Sequence, residues 1–199
     1  MEDREIDSLP PKARAAAVAA ATEHVLDFYR LGNFSLQVQD APGKALSAPP
    51  KADLLEHAVQ LAWSFAEGKP PSDEALDALL AGFLAEPTGA SEEDVCRGGV
   101  TTLGTVERMV RSLRDETPYQ AREALSSAHS TIVDGLGPVL GDRQKARTLA
   151  AQELAWQQEL VTRAKAFGDA PVSRSSLQDL IQRELPWRKH LSAYRDHYR

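Results

Sequence analysis

Three histidines and one glutamate are the residues of this chain best placed to do chemistry. His24, His57 and His129 each fall on or beside the apolar face of a different helical pattern, and Glu153 interrupts the apolar face of a fourth. Imidazole and carboxylate groups brought together inside a bundle can ligate a metal, hold a haem or titrate as a unit. The sharper expectation is that two or three of the histidines converge with Glu153 as their carboxylate partner. In that case Glu153 and Trp156 line whatever the interior binds. The spacing favours a plainer outcome. Glu23-His24 and Glu56-His57 are adjacent pairs, so their side chains diverge by about 100° around a helix. The Glu-x-x-His pairs of di-iron bundles do not occur in the sequence. Each histidine is then a partly buried, hydrogen-bonded helix residue.

Glu153 lies four residues after Leu149 and three before Trp156, where the core should be. A buried carboxylate must find a partner or take up a proton. The simpler expectation is a wide stripe that lets this long side chain reach water. If it is buried, its candidate partners are Arg108, Arg111, Arg122 or a histidine of an adjacent helix. The arginine-rich stretch Arg108, Arg111, Arg114 is the favoured source.

Other candidates carry less. Cys96 sits beside Arg97 near a helix start, which lowers a thiol pKa, but no nucleophile motif surrounds it. Gly-rich phosphate loops, zinc spacings and nucleophile elbows are all missing. No catalytic residue, metal ligand or cofactor is therefore assigned. Near the C-terminus, Arg183, Arg188, Lys189, Arg195 and Arg199 interleave with Trp187, Tyr194 and Tyr198. Bases among aromatics can contact nucleic acid, and two helices over 176–185 and 187–198 would allow a helix-turn-helix. At helical spacing, however, the aromatics share a packing face and the bases lie outside it. A docked, solvated terminal helix is the preferred reading.

The elements that must position these residues are helices. The longest clean pattern runs from Arg143 to Phe167, with Leu149, Trp156, Leu160, Ala164 and Phe167 on one face, and is expected to be the central helix. Before it come patterns over 12–31, 51–67, 72–85, about 91–115 (opened by the capping box Ser91 to Asp94) and 117–136. The alanines of the first pattern call for close packing. Gly98, Gly99 and Gly104 weaken the 91–115 helix by about 1 kcal/mol each, which a close helix crossing would offset. Period-two alternation at Phe34, Leu36 and Val38 marks a short β-hairpin or ordered loop near 34–47. The expected architecture is all-α: residues 1–11 as a flexible lead-in, then one compact bundle of about seven to eight helices over 12–199.

The 199-residue chain has a net charge of −6 and a single cysteine. No apolar run reaches the roughly 18 residues that cross a bilayer. The acidic opening MEDREID is unlike a signal peptide. A cytoplasmic protein follows as the expectation. Residues 51–99 carry ten acids against three bases, and residues 143–199 eleven bases against six acids. These segments either attract each other within the fold or present charged faces to a partner. The leading functional expectation is a non-catalytic helical adaptor or regulatory protein that binds a protein partner, with self-association open to it. The alternatives are a small-molecule, metal or cofactor-binding sensor or enzyme using the bundle interior, and a DNA-associated regulator using the basic C-terminal helices.

Overall fold

The alanine-rich first pattern forms the axis of the molecule. In the computed structural model, which describes residues 3–31, 52–84 and 97–197, helix α2 (Pro11–Leu31) is buried without a break from Ala13 to Thr22. Ten consecutive buried residues span nearly three turns, so this stretch has no solvent face. Side chains as small as alanine let neighbours approach on every side. Around α2 pack α3 (Ala52–Ala66), α5 (Arg97–Asp115), α6 (Pro118–Leu140) and α7 (Arg143–Lys165). Helix α4 (Asp73–Leu84) lies against α5. The described residues are helical with no strand, and they form one compact all-α bundle. The 34–47 hairpin, the 91–94 capping box and Cys96 fall outside the described residues.

Several elements differ from the sequence expectation in instructive ways. The central helix is α2 and not the long α7, because an alanine-rich surface with one capped arginine can be enclosed whereas the many charges of α7 need water. The expected flexible lead-in contains helix α1 (Asp3–Asp7), and its Ile6 and the following Leu9 are buried. Two apolar side chains suffice to dock it on α6. On α3 the buried face is Leu55, Ala58, Val59, Ala62, Trp63 and Ala66, with Leu54, Leu61 and Phe65 only partly covered. The spacing predicts a stripe of Leu54, Ala58, Leu61 and Phe65 with Leu55 and Ala62 beside it; Ala58, Leu55 and Ala62 are buried as expected, and the helix is turned so that Val59, Trp63 and Ala66 replace the larger members of the stripe. Helix α6 runs past Gly135 and Gly137 to Leu140, with Pro138 inside its last turn and Gly141 (φ +59°) as the left-handed cap.

The expected 176–185 helix is broken. A 3-10 turn (Arg174–Leu177), capped by Ser173 and not Ser175, leads into the single turn α8 (Gln178–Ile181). A second 3-10 turn (Pro186–His190) leads into α9 (Leu191–His197). These pieces are too short for the helix-turn-helix geometry. The aromatic face nevertheless docks as its spacing predicts: Trp187, Leu191 and Tyr194 are buried, while Tyr198 lies outside the described residues.

Close helix crossing accounts for part of the glycine content. A Cβ on Gly98 of α5 would stand 2.9 Å from the Cα of Gly135 on α6, and a Cβ on Gly135 would stand 2.6 Å from the Phe28 ring of α2. Three helices therefore meet where two side chains are missing. Thr102 adds a hydroxyl bond across the same junction to the Val25 carbonyl, at 3.2 Å. Gly135→Ala is expected to destabilise the fold by about 1 to 3 kcal/mol through overpacking. Thermal melts should show a fall in Tm of roughly 2 to 12 °C, and an unchanged Tm would contradict this junction.

Candidate functional site

The short elements of the C-terminal segment create the polar centre of the protein. Helix α8 is one turn long, so its last carbonyls lack a full set of helical partners, although the Leu180 carbonyl accepts from the Arg183 amide at 3.2 Å. Two buried rings take them. Trp156 Nε1 on α7 donates to the Leu180 carbonyl at 2.9 Å, and His24 Nε2 on α2 meets the Ile181 carbonyl at 3.0 Å. The two rings stack, with centroids 3.7 Å apart and planes inclined by 21°. The other imidazole nitrogen, Nδ1, lies 3.4 Å from Glu153 Oε2. Trp187 Nε1 donates to the same oxygen at 3.3 Å, and Gln157 Nε2 donates to Oε1 at 3.4 Å.

Proton bookkeeping follows from these contacts. The Ile181 carbonyl only accepts, so His24 Nε2 must carry a hydrogen. A neutral imidazole would then present a bare Nδ1 to the carboxylate. The Nδ1···Oε2 contact is long at 3.4 Å, and the carboxylate also accepts from the Trp187 and Gln157 N–H groups. The pair is buried at 2% and 0% exposure.

Glu153 thus does not reach water, contrary to the simpler expectation, and the arginines do not serve it. Arg108 turns to Ser127, Arg111 to Glu107, Arg114 to Asp77 and Arg122 to Asp7. The partner is the adjacent-helix histidine. On α7 the buried residues are Ala146, Ala150, Glu153, Gln157, Leu160 and Ala164 along one row, with Trp156 and Val161 beside it. Leu149 and Phe167 are only partly covered. The core face is set by small residues, and Glu153 lies at its middle.

Of the five interior candidates, the fold brings together three: His24, Glu153 and Trp156. His57 is exposed on α3. His129 is half-buried on α6, where burial pushes its imidazole below the ordinary value of 6.5 against the opposing pull of Glu153. Among the described residues, no group of three His, Cys, Asp or Glu side chains could hold a metal ion. Trp187, Gln157 and the two α8 carbonyls complete the network and escaped sequence reasoning. A signal existed for two of them. Gln157 is four residues beyond Glu153, and a buried tryptophan needs an acceptor for its N–H.

The basic C-terminal candidates are mostly engaged. Arg183 pairs with Glu159 at 2.6 Å, Arg195 lies 3.2 Å from Asp196, and Arg188 joins Asp27 while donating to the His24 carbonyl. Arg174 grips Glu23 at 2.9 Å. Lys189 is exposed and Arg199 is outside the described residues. Among the described residues the paired cations of the basic quarter meet acids of α2, of α6 and of their own segment.

A second feature lies nearby and is open. Helices α6 and α7 leave a surface trough of about 460 Å³ lined by His129, Ser130, Val133, Asp134, Arg143, Arg147, Ala151 and Leu154. It continues past Gly137 and Pro138 into a further 150 Å³. The fold and these two features define the class of protein: an all-α bundle with a sealed imidazole–carboxylate core and an open cationic–apolar trough. No family model matches the chain, and no curated protein or solved structure matches it.

Glu153→Ala leaves Trp187 Nε1 without its acceptor and His24 Nδ1 without its carboxylate partner, while Gln157 keeps the Leu125 carbonyl at 3.1 Å, and is expected to cost about 3 kcal/mol. Glu153→Gln should cost less, since an amide can accept from Trp187 and donate to a neutral His24. Urea melts followed by tryptophan fluorescence distinguish the two. For His129, the folded chain binds its proton less readily than the unfolded chain. Its contribution is fully present above 6.5 and is lost as pH falls through the lower folded value. Melts at about pH 7.5 and about pH 5.5 should show that His129→Gln weakens the acid-induced loss of stability.

Proposed function

We propose that the protein acts by binding a protein partner, as a non-catalytic adaptor or regulatory module, through the trough between α6 and α7. The observation that carries this reading is the contrast between the two features. The titratable groups of the core are closed off by stacked rings and backbone contacts, and a ligand would have to part His24 from Trp156 to reach them. The trough combines apolar floor, cation and hydrogen-bonding rim on the surface, the mixture that protein interfaces use. Its size is also within the range of sites that hold a side chain or small group.

The test is photo-crosslinking in cells from position 151, which is exposed and lines the trough, beside a control at position 78 on α4. A defined protein captured from 151 and absent from 78, which then co-elutes with the purified protein in light scattering, is the expected outcome. A chain that stays alone in both experiments would remove the proposal. No helix among the described residues is long and apolar enough to cross a membrane, so the experiment can be run on aqueous extracts.

A further inference from the structure

We infer that the α6–α7 trough receives an acidic linear segment of the partner, in which a carboxylate side chain is held by Arg147 and an apolar side chain rests on Ala151 and Leu154. This deepens the adaptor reading and rests on it. Arg143, Arg147, Ala151 and Leu154 recur at steps of four, four and three, so they form one row along α7. The row spans about 16 Å at 1.5 Å per residue. An elongated site of that length suits about five extended residues at roughly 3.3 Å each, and it suits a compact metabolite poorly.

The row is also polarised. Its cations stand at the end shared with Asp134, and its apolar residues stand at the end shared with His129. Asp134 already occupies one cation, at 3.4 Å from Arg143. Among the described residues no side chain or carbonyl pairs with Arg147, which is exposed. The free cation therefore calls for an acid from outside, with Ser130 in the lining as a hydrogen-bonding group. From Arg147 to Leu154 the axial distance is about 10 Å, or about three residues of extended chain. The recognised segment should carry its acid and its large apolar residue about three positions apart.

Selection of a random-peptide display library on the full-length protein tests this, followed by fluorescence anisotropy with one enriched peptide. Asp or Glu paired with Leu, Ile or Phe at about that spacing should be enriched. Arg147→Glu should weaken binding about tenfold or more. Circular dichroism and Tm should be unchanged, because Arg147 is a surface residue. Asp134→Asn should tighten binding by removing a negative charge from the trough rim beside Arg143, while Glu74→Gln on the remote α4 should leave it unaltered. Peptides that lack an acid, binding indifferent to Arg147→Glu, or displacement by a short oligonucleotide in place of peptide would overturn the inference. Enriched peptides that crosslink from position 151 but lack an acid would overturn it while sparing the adaptor reading. An absence of any protein ligand in the crosslinking experiment would count against both.

Discussion

Everything in this fold accommodates one buried helix. From Ala13 to Thr22, α2 offers its neighbours almost nothing but backbone and methyl groups. Hydrophobic burial per residue is small for alanine, so stability must come from many close contacts on all sides. That requirement explains why α3 turns its small residues inward and why two glycines meet at Phe28. It also explains the hydroxyl contacts of Thr102 and Thr105 between helices. Close-packed backbones favour polar groups that can bond to a carbonyl or a neighbouring hydroxyl, although the buried Thr22 hydroxyl of α2 has no partner among the described residues.

His24 is the consequence of carrying an imidazole on such a helix. It must satisfy two nitrogens without water. It does so with a carbonyl from the C-terminal segment and a carboxylate from α7, and that carboxylate also accepts from Trp187 and Gln157. The same network pins the end of the chain. Trp156 and His24 close the α8 carbonyls, Trp187 reaches Glu153, Arg188 spans Asp27 and the His24 carbonyl, and the Tyr194 hydroxyl donates to the Phe28 carbonyl at 2.9 Å. Irregular elements of four to seven residues gain a fixed place through these bonds, since their own helical hydrogen bonds are too few to hold them.

Surface charge plays a different part. Most cations of the C-terminal quarter lie within reach of acids on α2, α7 or their own segment, and such exposed pairs contribute little to stability. Their effect is to remove positive charge from that face. Lys145, Arg147 and Lys165 of α7 have no such acid partner among the described residues, and of these Arg147 lies in the lining of the trough.

Helix content, the positions of α2, α4 and α7, and the inward aromatic face of the C-terminus were legible in periodicity and caps, because these depend on neighbours a few residues away. Alanine density pointed to close packing, and Glu153 stood out as an acid in an apolar row. The rotation of α3, the docking of α1 and the continuation of α6 beyond Gly137 were not legible, since each depends on which surface a distant helix presents. The same holds for the site. The sequence by itself determined that His24, Trp156 and Glu153 lie on inward helix faces. Only the tertiary structure decided that they meet, that the arginines look elsewhere and that His57 does not join them. Side-chain direction is a local property of the helix, whereas the partner of a buried charge is chosen by the whole fold through the cost of leaving it unpaired.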